Sequence, residues 1–321
     1  MLRDIERRDD DILTIARIIA QANADILVLQ GIDYDFGGAT AVALRLVLQE
    51  NGIEYPFHFT RRPNSGLATG LDLDGDGKTG TPRDAQGYGR FSGQDSILIL
   101  SRFEILHEGA LDFSDILWKD MSGATLPMVN NAPFPSIDVQ AIQRLSTTAH
   151  WDVPILLPDG QTMNLLTYHA TPPVFDGPED RNGLRNHDET LFWVNYINDK
   201  LENPFVIAGI SNLDPVDGDG RPDAMLALLN HPNIQDPKPT SLGGQQNADA
   251  NHKEDPALDT AVFDGPGNLR VDYVLPSSHW QIKDAGVLWP TPGTPLYDRF
   301  GPDWETVSRH RLVWVDLDLT R

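Results

Sequence analysis

Apolar and polar positions along this chain follow two rhythms, and the elements change where one rhythm gives way to the other. Ile12, Ile15, Ala16 and Ile19 recur at helical spacing behind the acidic residues 9–11, with Asn23 placed to end the helix. The run ILVLQ at 26–30 has no polar alternation, which predicts a strand covered on both faces. A second helix is expected over 39–49, stopped by Asn51 and Gly52, and FHF at 57–59 opens another strand. SILILSR at 96–102 reads as a strong strand, and residues 103–150 as irregular chain with Trp118 and Trp151 packed under loops. The segments 153–157 and 163–170 form a hairpin around Pro158, Asp159 and Gly160, and His169 ends its second strand. A helix over 187–201, a strand at 205–209, a helix over 222–229, an acidic loop at 235–267 and three closing strands complete the pattern. This alternation predicts an α/β protein, most economically a two-layered domain spanning 1–321, with long loops at 61–95 and 235–267.

Three apolar runs carry a polar residue at one end: VIAGISNLDP at 206–215, NLRVDYVLPS at 268–277 and VSRHRLVWVDL at 307–317. They place Asn212, Asp272 and His310 at strand termini, where side chains from different strands can share one cleft. A loop as long as 61–94 usually has a function or an ion to order it. Within it, LDLDGDGKTG sets Asp72, Asp74 and Asp76 at alternate positions before Gly77, the spacing that wraps carboxylates around one structural calcium, although Arg83 stands where such loops end in an acid. DGDGRPD, with Asp217, Asp219 and Asp223, is a shorter echo.

Charge narrows the possible partners. Lys and Arg number 25 against 47 Asp and Glu, a net charge of −22 that repels a phosphate backbone over most of the surface. Charge therefore argues against tight sequence-independent nucleic-acid binding without excluding nucleic acid as a substrate, since divalent cations and a few Arg or His residues can make a cleft locally positive. The chain has no cysteine, so thiolate catalysis and disulfides are excluded. No run reaches the roughly 18 apolar residues of a membrane span, and residues 1–11 lack the apolar core of a signal peptide.

ADILVLQGID, GRFSGQDSILILSR, LLTYHA, VIAGISNLDP, RVDYVLPS and SRHRLVWVDL, in this order and spacing, resemble the endonuclease/exonuclease/phosphatase superfamily. That superfamily includes deoxyribonucleases, abasic-site endonucleases, sphingomyelinases and inositol-phosphate phosphatases. The resemblance implies a four-layered α/β/β/α sandwich, two packed mixed sheets flanked by helices, and MLRDIE offers no counterpart of its first strand. It also implies phosphoester hydrolysis with Mg²⁺ or Mn²⁺, an Asp272–His310 pair, and His169 and Asn212 at the scissile phosphate.

The chain departs from the family's pattern at three carboxylates. Gly31 stands where the family has the Glu of LQE, Ile210 where it has the Asp of GDxN, and Arg309 where it has the Asp of SDH. The metal site is expected to be weakened, with Asp33 and Asp214 as substitute ligands and Arg270 and Arg309 as substrate-binding cations. Two functions follow from the resemblance. One is a phosphoesterase or nuclease-like hydrolase with a modified site; the other is an impaired homologue that binds a phosphorylated ligand. The expected partner is a phosphate-ester small molecule, a lipid head group or nucleic acid, met by a monomer in the periplasm or outside the cell.

Overall fold

A computed structural model describes residues 1–201, 203–248, 250, 252–301 and 303–319, with backbone only at 199 and 200. Alternation along the strands explains its layers. In strand Ser96–Ser101 every residue is buried, because Ile97 and Ile99 face the space between two sheets while Leu98 and Leu100 face helices. Strand Ile26–Ile32 divides in the same way, Ile26 and Val28 inward, Leu27 and Leu29 outward. These two strands and Phe57–Phe59 form an antiparallel sheet with Ser96–Ser101 in the middle. Its outer face is covered by Ile5 of helix Leu2–Arg7, Ala16 and Ile19 of Asp10–Ala22, and Leu44, Val47 and Leu48 of Ala39–Glu50.

The second sheet is mixed and runs Asp272–Pro276, Phe205–Ile210, Thr162–Tyr168, His150–Leu156, Glu104–Ile105, with Leu111–Asp112 also on His150–Leu156. Phe205–Ile210 is parallel to Thr162–Tyr168 and antiparallel to Asp272–Pro276. Val206, Ala208, Met163 and Leu165 meet the first sheet, while Phe205, Ile207, Leu166 and Tyr168 pack against Trp193 and Ile197 of helix Arg181–Lys200 and Met225 and Leu228 of Asp223–Leu229. Strands Trp280–Leu288 and Leu312–Leu319 close the chain as a hairpin whose Trp280, Leu317 and Leu319 reach the inter-sheet core. Three apolar interfaces between four layers is the sandwich the resemblance implied, and it replaces the two-layered reading of the pattern alone.

Three local expectations are corrected. Trp151 lies in the inter-sheet core rather than under a loop, because strand His150–Leu156 begins before the residues read as hairpin. Trp118 does sit apart, in a small cluster with Met121 and Leu145. Helix Arg181–Lys200 starts before 187, and the N-terminal helix Leu2–Arg7 was not foreseen.

Gly209 shows how close the site strands run. A methyl group at its α-carbon would lie 2.3 Å from the carbonyl oxygen of Tyr168, so only glycine lets the two backbones approach there.

Candidate active site

Lateral pairing in the second sheet assembles the site. His169 follows strand Thr162–Tyr168 and bridges Ile210 in parallel, and Ile210 pairs with Asp272 across the antiparallel ladder. Paired residues point to the same face, so His169, Ile210 and Asp272 form a row at the edge of the inter-sheet layer. His310 arrives just before strand Leu312–Leu319, held by an antiparallel bridge to Ala261. Its Nδ1 lies 2.9 and 3.0 Å from the two carboxylate oxygens of Asp272. Asp272 is fixed in turn by Thr260, whose hydroxyl donates to Oδ2 at 2.8 Å and accepts from the backbone N–H groups of Val271 and Asp272. Phe263 meets the His310 ring edge-on at 5.9 Å.

The two imidazoles are tuned in opposite directions. Burial opposes protonation of His310, but the charge and hydrogen bond of Asp272 together outweigh it, and the net shift is upward. Burial pushes His169 down to about 4, with the His310 charge acting in the same sense and Asp272 against it. His169 Nδ1 is buried without a hydrogen-bond partner. Next to it, Gln30 donates from Nε2 to the Tyr168 carbonyl at 3.4 Å, and its Oε1 is likewise buried and unpaired. Asn212 adopts a left-handed backbone with φ of 52° and anchors its amide on the Ala170 carbonyl at 2.8 Å. The edge thus holds a cation-favouring imidazole on a carboxylate, a neutral imidazole, and two buried polar atoms, His169 Nδ1 and Gln30 Oε1, without partners.

The positions where the resemblance calls for metal-binding acids do not fit a divalent cation. Gly31 has no side chain, and open space surrounds the place where one would begin. Ile210 fills the centre of the row with a buried apolar group, and Arg309 is exposed and paired with Asp264 at 3.2 Å. A hard cation such as Mg²⁺ needs oxygen ligands, and here it would meet apolar and cationic groups instead.

The remaining candidates lie elsewhere. Arg270 is buried and bound through both terminal nitrogens to Asp236, at 2.5 and 2.9 Å, with Tyr273 against its guanidinium. That commitment takes it from the substrate. Asp33 accepts from the Asp95 N–H at 3.4 Å and belongs to neither acidic cluster. Asp214 turns away from the cleft: Oδ1 accepts from the N–H groups of Val216 and Asp217, and Oδ2 from that of Arg270. It joins Asp217 and Glu254 in one acidic cluster, where burial, then Asp214, push the Glu254 carboxyl up to about 7. In the calcium-like loop Asp72 and Asp74 gather with Asp84, while Asp76 accepts from the Lys78 N–H. Asp84 was missed because it lies beyond the loop's usual span; Thr81 ahead of it, a helix-capping residue at capping-box distance, was the available signal. Thr260 and Phe263 were missed because the acidic loop hides the short strand Ala261–Phe263.

Two buried imidazoles make acid stability a test of this geometry. His150, which meets Ser146 at 2.7 Å and the Glu189 carbonyl at 2.9 Å, is also pushed by burial down to about 4. Both folded values lie below the ordinary histidine value, so between about pH 6.5 and 4 the unfolded chain binds more protons and stability falls as the pH drops. Each histidine contributes about 1.4 kcal/mol per pH unit in that window. Urea midpoints compared at pH 6.5 and 4.5 should therefore separate less in His169→Gln than in the wild type. An unchanged separation means that His169 is not held neutral.

The chain belongs to the endonuclease/exonuclease/phosphatase family, whose profile matches residues 2–310. Among solved structures it is similar to an endonuclease/exonuclease/phosphatase from Beutenbergia cavernae, with 16% identity, a TM-score of 0.56, and coverage of 96% of this chain and 66% of that one. A family protein from Leptotrichia buccalis gives 15% identity, TM-score 0.52 and coverage of 98% and 95%. The human Nocturnin catalytic domain with bound sulfate gives 14%, 0.51, 97% and 87%. These likenesses establish the fold. No curated protein matches the chain. Among the described residues, no helix is long and apolar enough to cross a membrane, and two acidic clusters are of a size to hold a cation.

Proposed function

We propose that this chain binds a small phosphate ester at the sheet edge between His169 and His310, and that metal-driven hydrolysis there is strongly reduced. One observation carries the reading: a cation-favouring His310, fixed on Asp272, stands beside the unpaired Nδ1 of His169 in a cleft with no acid at 31, 210 or 309. A phosphate oxygen meets a charge-assisted donor there, and the Asp272 carboxylate of the row is engaged by His310. Net charge favours a sugar phosphate, nucleotide or lipid head group over a nucleic acid, whose backbone would extend across the acidic surface. We place the protein in the periplasm or outside the cell as a monomer of one domain, a reading supported by the acidic, cysteine-free composition and by the 235–267 loop, which delivers Thr260 to Asp272 and Phe263 to His310.

Metal-dependent hydrolysis with a modified site is the second reading, favoured by the Asp272–His310 pair, which has the geometry to orient a general base. The upward shift of His310 weighs against it, since a base must be unprotonated at the working pH.

Calorimetry with phenyl phosphate, together with hydrolysis of bis-(p-nitrophenyl) phosphate in Mg²⁺ or Mn²⁺, separates the readings. Binding of phenyl phosphate without added metal, and turnover near background, are expected. Metal-dependent turnover at about 1 s⁻¹ or faster, an ordinary enzyme rate, would overturn the proposal, as would no binding of phenyl phosphate.

A further inference from the structure

One helix holds the chain ends that carry His169 and Asn212. Asn186 and Glu189, three positions apart and so on one face of helix Arg181–Lys200, are both fully buried. Asn186 Nδ2 donates to the carbonyls of Thr171 and Ser211, each at 2.7 Å, while its Oδ1 is buried without a partner. Glu189 accepts from the Thr171 N–H at 2.7 Å through Oε2 and from the Thr147 N–H at 2.5 Å through Oε1. Thr171 lies two residues beyond His169, and Ser211 directly precedes Asn212.

These links complete a closed network behind the cleft. Ala170, between His169 and Thr171, donates its N–H to the Ile210 carbonyl and accepts the Asn212 amide, and the Ser211 N–H donates to the Val271 carbonyl, next to Asp272. Every backbone donor and acceptor of Ala170, Thr171 and Ser211 is thereby engaged. A left-handed residue such as Asn212 persists where its surroundings over-determine it, and an amide whose oxygen is left orphaned is retained for its donors. Resting on the phosphate-binding reading of the cleft, we propose that Asn186 and Glu189 are positioning residues that hold His169 and Asn212 ready for the ligand, Glu189 doing so as the carboxylate.

The surroundings of Glu189 make that hold sensitive to pH. Burial pushes its carboxyl up to about 7, against the Arg185 charge and the Thr147 and Thr171 N–H donors. The titratable groups packed around it are Arg185 on the same helix, His150, whose Nε2 meets the Glu189 carbonyl at 2.9 Å, and Tyr168. Burial brings Arg185 down to about 10, holds His150 down at about 4 and raises Tyr168. Of these four groups, only Glu189 therefore changes charge between about pH 5 and 9. Its protonation replaces charge-assisted bonds with weaker neutral ones and loosens the turn after His169.

Calorimetry with bis-(p-nitrophenyl) phosphate, a diester that keeps one negative charge throughout this range, compares the wild type with Glu189→Gln and Asn186→Leu. At pH 8 Glu189→Gln should bind at least about threefold more weakly. The gap should close by pH 5.5, and His310, common to both proteins, cancels from the comparison. Asn186→Leu should bind about tenfold more weakly at either pH, while Asn195→Ala, on the exposed side of the same helix, leaves binding unchanged. A gap that stays constant with pH overturns the proposal, as does wild-type affinity in a folded Asn186→Leu. The ligand-free wild type gives a second test that needs no variant: the N–H signals of Thr147 and Thr171 and the ring signals of His169 must titrate together between pH 5.5 and 8. Flat signals overturn it. Should the wild type bind no diester, the phosphate reading fails, and this titration alone decides whether Glu189 positions His169.

Discussion

Asp272→Asn is expected to weaken phenyl phosphate binding at pH 7 by about 10- to 100-fold, the loss of a charge-assisted hydrogen bond of about 1.5–3 kcal/mol. The mechanism runs through His310. With the carboxylate gone, burial and the charges of Arg311 and Arg309 act on the ring alone, and all of them favour its neutral form. Its titration, followed by NMR, should move from above the ordinary histidine range to below it. A stability signature accompanies the change. Because His310 is raised in the folded state, the pair's stabilisation is fully present below the unfolded histidine value and is lost as pH rises through the folded value. Wild type and Asp272→Asn should therefore differ in urea midpoint at pH 6 and converge under alkaline conditions. A variant that binds phenyl phosphate as the wild type does would remove His310 from the ligand site.

Restoring the three carboxylates should produce the largest gain. In the triple variant Gly31→Glu, Ile210→Asp, Arg309→Asp, a Mg²⁺ site is expected at the cleft, and bis-(p-nitrophenyl) phosphate turnover in Mg²⁺ should rise by about 100-fold or more, since Lewis-acid stabilisation is worth several kcal/mol. The space is there: nothing lies within 4 Å of where a side chain at 31 would begin. The costs are also visible. Gly31 has φ of 73°, which strains any other residue by about 1–2 kcal/mol, and Ile210 is only 6% exposed, so an Asp there needs the ion to offset its burial. Thermal midpoints with and without Mg²⁺ report whether it does. A folded triple variant that binds Mg²⁺ without gaining turnover would show that the missing acids are not what limits hydrolysis.

Much of this was legible in the chain because it is written locally. ILVLQ and SILILSR announce strands buried on both faces, since a strand covered on both sides reads as a short, near-continuous apolar run. The polar residues that end such runs, His169, Asn212, Asp272 and His310, lie at or just beyond strand ends in the fold, with His169 and Asp272 flanking Ile210 across neighbouring strands. The losses at 31, 210 and 309 were equally plain, because each is a change of residue type inside a recognisable motif. Long-range partners were not legible. Arg270 read as a substrate cation because nothing nearby in sequence showed that Asp236 would claim it. Asp214 read as a replacement ligand because it lies a few positions beyond Ile210, yet the left-handed turn at Asn212 and three backbone donors direct its carboxylate away from the cleft.

By itself the sequence determined the strand and helix rhythm, the acidic surface and the residue types at the cleft, because these depend on neighbours a few positions apart. The tertiary structure alone decided which groups meet: Thr260 on Asp272, Gln30 against the His169 strand, Asp236 on Arg270, and Asp214 with Asp217 and Glu254. The reason is physical. A carboxylate or imidazole gains its charge state and its partner from everything packed around it, and in a sandwich of two sheets that surrounding comes from strands and loops far apart in the chain.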